Sequence, residues 1–187
     1  MIRLVGPGGA GKTTTGAVLA RRLGVGFVDL DTQFIATQGD ISEYLDVHGH
    51  AAYATQNVQT YSDVIGAMAE PVVLALSSGF MTYANDVHPD YARFRREIAV
   101  SPTTLVLLPS LDYETCVVET VRRQLGRPFS RSPEREEQVV RARFSVYRDL
   151  PAKKVETMRP VDEVVEAVVA NLLPNTRWSR RRVAALS

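Results

Sequence analysis

The chain lacks several features that would mark an extracellular or membrane protein. Its single cysteine, Cys116, excludes an internal disulfide framework, and its position in a helical pattern predicts a buried structural thiol. No signal peptide is visible, and the longest apolar run falls far short of the roughly 20 residues that span a membrane. Repeats, low-complexity blocks and interior linkers are missing too. These absences predict one cytoplasmic domain that has no membrane partner.

The chain also lacks an excess of either charge, since 22 Lys and Arg face 21 Asp and Glu for a net charge of +1. The balance hides an asymmetry, because no acid follows Glu166. Residues 174–187 are therefore a basic C-terminal tail, for which a solvated, partly disordered terminus is the favoured interpretation. Contact of the tail with nucleic acid, a membrane surface or a partner is the alternative. The tail arginines are Arg177, Arg180, Arg181 and Arg182.

The chain does have a complete phosphate-binding loop at its start. Gly6 is followed after four residues by Gly11-Lys12-Thr13, with a β-branched run before it and a helical pattern after it. Such a loop turns backbone N–H groups towards phosphate oxygens, and the following helix adds its positive N-terminal end. Lys12 would reach the β- and γ-phosphates, and the Thr13 hydroxyl would ligate Mg²⁺. The loop predicts a nucleoside triphosphate held by Gly8, Gly9, Ala10, Gly11, Lys12, Thr13 and Thr14.

The rest of the chain alternates short apolar runs with amphipathic stretches, which predicts a parallel sheet between helices. The predicted class is α/β, with a three-layer P-loop NTPase fold, a central parallel sheet of about five strands flanked by helices, and a short mobile lid near 126–133. The domain is predicted over 1–173. Strands are predicted at 2–5, 26–29, 71–76, 104–108 and 154–157, and helices at 14–23, 50–69, 86–98, 112–124, 133–147 and 161–172.

Two carboxylates end the second strand, in Asp29-Leu30-Asp31. Alternate strand residues point to the same side, so both would emerge near the phosphate loop. Phosphoryl transfer needs such a pair, with Asp29 holding Mg²⁺ and Asp31 orienting the acceptor hydroxyl or accepting its proton. The alternative is that these acids cap a helix before Thr32, Asp31 being the candidate cap.

Two arginines lie in the turn-rich segment 126–133. Arg127 could close over the γ-phosphate and neutralise the charge that develops there, with Arg131 a weaker candidate. An ordinary surface arginine is the alternative. The sequence contains no Asn-Lys-x-Asp motif for guanine and is too short for a motor domain. Residues 77–81 follow the third strand, where ligands bind in open parallel sheets.

Together these motifs resemble the shikimate kinase family. Gly-Pro-Gly-Gly-Ala-Gly-Lys-Thr-Thr at 6–14 is similar to its phosphate loop, and Phe-Val-Asp-Leu-Asp at 27–31 to its Phe-x-Asp-x-Asp segment. The resemblance implies that Asp29 serves the metal and that Asp31 grips the substrate hydroxyls. Gly-Arg-Pro-Phe at 126–129 resembles the lid, whose arginine contacts phosphate and substrate. The order of the motifs is that of the family from Ile2 to about Leu173.

Further motifs extend the resemblance towards both substrates. Arg143 and Tyr147 match an Arg-x-x-x-Tyr pattern, which implies that Arg143 binds the substrate carboxylate. Arg159-Pro160 resembles the loop that packs on adenine. Arg123 lies near the other adenine-stacking arginine, although Arg122 is an alternative alignment.

Two departures fall in the acceptor pocket. The family motif Gly-Glu-x-x-Phe-Arg corresponds to Gly-His-Ala-Ala-Tyr-Ala at 49–54, so Ala54 replaces an arginine that helps to hold the carboxylate. Three glycines after the third strand correspond to Ser77, Ser78 and Gly79, of which Ser78 and Gly79 are predicted to line the substrate. The candidate cations for the space near Ala54 are Arg93, Arg95 and Arg96.

The resemblance implies an ATP- and Mg²⁺-dependent kinase that phosphorylates a hydroxyl of a small, anionic acceptor, shikimate or another hydroxylated metabolite, nucleoside or antibiotic. Lys12, Asp31 and Arg127 are the expected catalytic residues, and a monomer or homodimer without nucleic acid is expected. A nucleotide-binding regulator and a toxin-like kinase acting on a nucleotide sugar or an RNA end remain alternatives.

Overall fold

The protein is described by a computed structural model that covers residues 1–125 and 132–172. Arg127, Arg131, most of the proposed lid and the basic tail lie outside the described residues. The division into a domain and a tail therefore stays a prediction.

The sheet has five parallel strands, which are β1 (Ile2–Val5), β2 (Gly26–Asp29), β3 (Val72–Ala75), β4 (Thr104–Leu108) and β5 (Lys153–Glu156). Their order in the sheet is β2-β3-β1-β4-β5. β1, β2 and β4 match the predicted bounds, and β3 and β5 differ from them by one residue at each end. The sequence pattern located most strands well because β4 and most of β1 and β3 are buried, largely apolar runs.

Helices cover both faces of the sheet and make the three predicted layers. Alternate residues of β4 show this, since Leu105 and Leu107 pack in one apolar core with α1 and α7, whereas Val106 and Leu108 pack in the other core. The described ranges contain α1 (Lys12–Leu23), α2 (Leu30–Gln38), α3 (Ile41–Ala67), α4 (Tyr91–Val100), α5 (Tyr113–Leu125), α6 (Pro133–Asp149) and α7 (Val161–Leu172), with a short 3₁₀ helix at Phe80–Thr82. Cys116 is buried, as predicted.

Two helical segments were missing from the prediction. One is α2, and the other is the first part of α3, before a break at Gly49, where φ is 78°. A positive φ suits glycine, so Gly49 interrupts the helix where the predicted segment began. Asp40 starts α3, because its side chain accepts hydrogen bonds from the N–H groups of Ser42 and Glu43. Short helices with few buried positions give little periodic signal, and both segments are of that kind.

The fold brings the phosphate loop to the edge of the sheet at which β1, β2 and β3 end. Close packing fixes the loop, because a Cβ added at Gly6 would lie only 2.2 Å from the carbonyl oxygen of Leu107. None of the helices within 1–125 and 132–172 is both long and apolar enough to cross a membrane.

Candidate active site

The phosphate loop passes into α1 at Gly11, whose φ of 84° places it in the left-handed region. The Lys12 side chain turns back over the loop, and its Nζ donates hydrogen bonds to the carbonyl oxygens of Gly6 at 2.8 Å and Pro7 at 2.9 Å. The loop lines a cavity of about 450 Å³. Lys12 is thus held beside the space where phosphates would lie. The cavity residues on the loop run from Pro7 to Thr13.

The two residues predicted to serve the metal lie together at this cavity. The Thr13 hydroxyl donates to Asp29 Oδ2 at 2.7 Å, while Asp29 Oδ1 accepts from the N–H of Asp31 at 3.0 Å. The N–H of Thr32 donates to the same Oδ1 at 3.4 Å. Asp29, not Asp31, is therefore the N-cap of α2, which corrects the alternative drawn from the sequence. The reason is that Asp31 already lies inside the first helical turn.

This oxygen pair fits Mg²⁺, which is bound by one or two protein oxygens together with water and substrate phosphates. Within the described residues, no group of three or more His, Cys, Asp or Glu side chains is placed to hold a metal ion by itself. Thr13 and Asp29 would thus supply the protein's share of a site completed by nucleotide and water.

Asp31 lies further along the same cavity and accepts a short hydrogen bond from the Ser77 hydroxyl through its Oδ1. Ser77 in turn accepts from Asn57 Nδ2 at 2.9 Å, and Asn57 Oδ1 accepts from the Tyr83 hydroxyl at 3.1 Å. Asn57 is fully buried and Ser77 is 2% exposed. A polar network thus surrounds the predicted acceptor-binding carboxylate.

Arg143 reaches the cavity from α6 and donates through Nη1 to the Ser78 hydroxyl at 3.2 Å. The backbone carbonyl of Ser78 accepts from Tyr147 at 2.7 Å. Burial raises the pKa of the Tyr147 hydroxyl, so this tyrosine stays a neutral donor. Gly79 packs against the Arg143 guanidinium, since a Cβ on Gly79 would lie 3.1 Å from Arg143 Nη2. Arg143, Ser78 and Gly79 therefore lie together, with Arg143 and Ser78 in the cavity lining and Gly79 outside it.

The family motif has an arginine at the position of Ala54. Among the described residues that line the cavity, the cations are Lys12 and Arg143, and no further cation takes the place of that arginine. Of the three candidates, Arg93 and Arg96 are exposed, and Arg95 donates to the Met81 carbonyl. Their helix, α4, contributes no residue to the cavity lining.

The neighbouring Tyr53 does face the acceptor region. Burial, and after it the charge of Asp31, raise its pKa to about 12, although hydrogen bonds to Ser77 and Tyr83 oppose the shift. The uncharged hydroxyl of Tyr53 therefore lies next to position 54, at which the family motif has an arginine.

A second cavity of about 320 Å³ opens on the other side of the phosphate loop. Arg123 fixes its wall by donating to the Gly9 carbonyl at 3.2 Å and to the Thr157 carbonyl at 2.9 Å. Arg122 instead points outwards, with its side chain 70% exposed, so the structure favours Arg123 over the alternative alignment. Arg159 lines this cavity, whereas Pro160 is exposed and outside the lining. The lining is Gly9, Gly11, Thr14, Thr15, Arg123, Thr157, Arg159, Val161 and Val164.

Several residues of the site were missed from the sequence. Gln124 packs on the phosphate loop, where a Cβ on Gly8 would come within 2.4 Å of its Nε2. Glu136, buried on α6, lines the cavity. Asn57 interrupts the apolar stripe of α3, and this was the one available signal, a polar residue on a buried face. Tyr83 offered no signal.

Comparison with known proteins assigns the family. The family model for shikimate kinase matches residues 8–173. The chain belongs to the shikimate kinase family. Curated shikimate kinases from Streptomyces coelicolor and Methylococcus capsulatus are 31% and 29% identical to it, over 90% and 83% of this chain and 93% and 82% of theirs. A solved shikimate kinase from Acinetobacter baumannii shares the fold, with a TM-score of 0.71, 24% identity and 94% coverage of both chains.

Membership confirms the main expectations from the sequence. As a shikimate kinase family member, the chain is an ATP- and Mg²⁺-dependent phosphotransferase with an alcohol group of a small molecule as acceptor. The P-loop fold agrees, since the solved shikimate kinase of Aquifex aeolicus aligns with a TM-score of 0.68 at 21% identity.

Proposed function

We propose that this protein transfers the γ-phosphoryl group of ATP to a hydroxyl of shikimate. The observation that carries the proposal is that Asp31 and Arg143 line the same cavity as the phosphate loop. A carboxylate for hydroxyls and a guanidinium for a carboxylate are the complements of a hydroxylated acid. The curated relatives, all named as shikimate kinases, support this acceptor.

In the proposed mechanism, each residue acts on a particular group. Asp31 orients the acceptor hydroxyl and takes its proton as the oxygen bonds to the γ-phosphorus and the bond to ADP breaks. Lys12 stabilises the charge on the phosphoryl oxygens, with Arg127 proposed to do the same from the lid. Arg143 binds the acceptor carboxylate. Thr13 and Asp29 would hold Mg²⁺, which supplies charge neutralisation when it is bound.

The second cavity is proposed to take the adenosine end of the nucleotide. Arg123 and Arg159 both line it, and guanidinium groups stack on flat aromatic rings. The bonds from Arg123 to the backbone of Gly9 and Thr157 would hold its guanidinium in one orientation. Arg159 is proposed to contact the adenine, whereas Pro160 lies outside the cavity lining and is expected to contact it only from the family pattern.

The altered acceptor pocket favours a second candidate, a related hydroxylated acceptor. Loss of one charge-assisted contact to a carboxylate costs roughly 1.5–3 kcal/mol, or about ten- to a hundredfold in affinity. Ala54 removes such a contact, and the hydroxyls of Ser77 and Ser78 add polar groups near Asp31. Polyols, nucleosides and hydroxylated antibiotics are the acceptors to compare with shikimate.

The test is release of ADP from Mg-ATP with and without shikimate, with Lys12→Ala as the blank. We expect stimulation by shikimate and an at least hundredfold slower reaction in Lys12→Ala, with thermal unfolding little changed. A matched control is Arg21→Ala, which removes an exposed cation from the same helix. Intact ATP binding without stimulation would move the acceptor to the second candidate. Near-normal turnover by Lys12→Ala would contradict its role.

We also propose a cytoplasmic location and action as a monomer or homodimer. The single cysteine, which is buried, suits a reducing compartment. Sedimentation of the purified protein would decide the oligomeric state.

A further inference from the structure

A chain of side-chain hydrogen bonds runs through the protein interior to Asp31. The Tyr83 hydroxyl donates to Asn57 Oδ1 at 3.1 Å, Asn57 Nδ2 donates to Ser77 Oγ at 2.9 Å, and Ser77 Oγ donates to Asp31 Oδ1. The relative exposures of Tyr83, Asn57 and Ser77 are 7%, 0% and 2%. The donor of each of these three bonds points towards the carboxylate, and Tyr53 flanks the chain beside Ser77 and Tyr83.

The links come from four separate parts of the fold. Asp31 lies in the first turn of α2, Asn57 on α3, Ser77 beyond β3, and Tyr83 directly after the 3₁₀ helix. The far end is anchored as well. The N–H of Tyr83 donates to the Tyr91 hydroxyl at 3.1 Å, and that hydroxyl donates to the Phe80 carbonyl at 2.7 Å. The chain therefore joins Asp31 to rigid, buried backbone.

Chemistry fixes the direction of the bonds. Burial raises the pKa of Tyr83 well above its ordinary value, with the nearby Tyr53 adding to the shift, so its hydroxyl keeps its proton near neutral pH. Asn57 uses its oxygen to accept and its NH₂ group to donate, which leaves Ser77 to donate onwards. An ionised carboxylate is the strongest acceptor within reach of Ser77.

A hydrogen-bond network that only filled this space would contribute little to the stability of the fold. Apolar side chains of similar shape often serve equally well, whereas a buried polar network destabilises the fold unless every member is satisfied. Here the polar groups end on Asp31, which lines the cavity. The arrangement is therefore explained better by its effect on Asp31 than by packing.

We propose that Ser77, held by Asn57 and Tyr83, is a positioning residue that fixes the Asp31 carboxylate for the acceptor hydroxyl. This inference rests on the proposed function of Asp31. Displacement of a catalytic group by about 1 Å can slow a reaction by about a hundredfold. Loss of one positioning bond, with the carboxylate still present, is expected to cost about tenfold.

The experiment measures single-turnover phosphoryl transfer at saturating ATP and shikimate. We expect Ser77→Ala to lower the rate about tenfold and Tyr83→Phe about threefold, with unchanged KM for ATP. The double variant should be no slower than Ser77→Ala, because the first change already cuts the chain. Multiplying effects in the double variant, or an unchanged rate in Ser77→Ala, would overturn the proposal.

Two further variants separate positioning from stability. Ser77→Thr keeps the hydroxyl and should recover at least half of the wild-type rate. If it unfolds at the wild-type temperature but is as slow as Ser77→Ala, the proposal fails. Thr60→Val is the control, since it removes a buried hydroxyl of α3 that donates only to the Gln56 carbonyl, and its rate should equal the wild-type rate.

A structural readout keeps this proposal apart from the choice of acceptor. If the wild-type protein does not phosphorylate shikimate, the proposed function is wrong, and crystal structures of the wild type and Ser77→Ala still test the positioning. A carboxylate displaced by more than about 0.5 Å, or spread over several rotamers, would support it. The same ordered position in both proteins would overturn it.

Discussion

The Thr13 hydroxyl donates a hydrogen bond of 2.7 Å to Asp29 Oδ2 across the gap between α1 and the end of β2. Asp29 uses its other oxygen to cap α2. One carboxylate thus fixes the start of the helix that carries Asp31 and also meets the threonine of the phosphate loop. In the proposed mechanism, Asp29 therefore links the metal site to the helix that carries the acceptor-binding Asp31.

The first prediction concerns this threonine. Thr13→Val removes the hydroxyl at nearly constant volume, and we expect the Mg²⁺ concentration for half-maximal rate to rise about tenfold or more. Thermal unfolding should change little, because Thr13 is exposed. Thr13→Ser keeps the hydroxyl and should behave like the wild type. Identical Mg²⁺ dependence of all three proteins would remove Thr13 from the metal site.

The second prediction concerns the carboxylate of Asp31, which is proposed to orient the acceptor hydroxyl. Asp31→Asn keeps the shape of the side chain but loses its charge and its ability to take a proton. We expect phosphoryl transfer to fall at least a hundredfold, while the affinity for ATP, measured by calorimetry, changes less than about twofold. Turnover at the wild-type rate would show that Asp31 plays no part in the reaction.

The third prediction tests whether the missing arginine can be restored. Ala54 is 2% exposed, among core residues that include Tyr53 and Val58, and it does not line the cavity. We therefore expect Ala54→Arg to lower the free energy of unfolding by about 2–4 kcal/mol, because it buries a charge and overpacks the core. Ala51→Arg, at an exposed position of the same helix, is the matched control. Tighter shikimate binding by a stable Ala54→Arg protein would show instead that the pocket still accepts the arginine.

The fourth prediction concerns Gly79, which packs against Arg143. A Cβ there would lie 3.1 Å from both Arg143 Nη2 and Tyr83 Cε1, closer than most real contacts. Gly79→Ala should therefore displace Arg143 and raise the KM for the acceptor about tenfold, with the KM for ATP unchanged. Gly66→Ala meets no atom within 4 Å and should leave both constants as they are. Equal effects of the two changes would contradict the role of Arg143.

The fifth prediction concerns acid stability beside the second cavity. Hydrogen bonds from Arg122, and secondarily Arg123, lower the pKa of Glu119 to about 2 from an ordinary value near 4.5. Because the folded-state pKa is depressed, the stabilisation is present above about pH 4.5 and is lost as the pH falls towards 2. Glu119→Gln should lower the free energy of unfolding by about 1–2 kcal/mol at pH 7, with the difference vanishing near pH 2. Glu70→Gln, at an exposed loop position, is the matched control variant.

Local sequence signals were sufficient for most of the fold. β1, β2 and β4 have the predicted bounds. For β1 and β4 the reason is that buried parallel strands are short apolar runs between turn residues. The prediction was wrong at the start of the predicted helix 86–98, because α4 begins only at Tyr91. It was also wrong where the signal was weak, at α2 and the first part of α3. There the helices start from the side-chain caps Asp29 and Asp40 rather than from a strong apolar stripe. The position of Gly49 explains why only the later part of α3 was recognised.

The sequence by itself determined the phosphate loop, the nearby carboxylates Asp29 and Asp31, and the family, because each depends on residues close together in the chain. The prediction that both carboxylates end the second strand was wrong, since β2 ends at Asp29 and Asp31 lies in the first turn of α2. Only the tertiary structure decided that Asp29 is the cap, that Arg123 rather than Arg122 lines the second cavity, and that Ala54 has no replacing cation among the described lining residues. It also joined Tyr83, Asn57 and Ser77 to Asp31. The partners in that chain are 26, 20 and 46 residues apart, so their contacts exist only once helices and strands have packed. Spacing along a sequence specifies local geometry, whereas hydrogen bonds across the core depend on how the elements fit together.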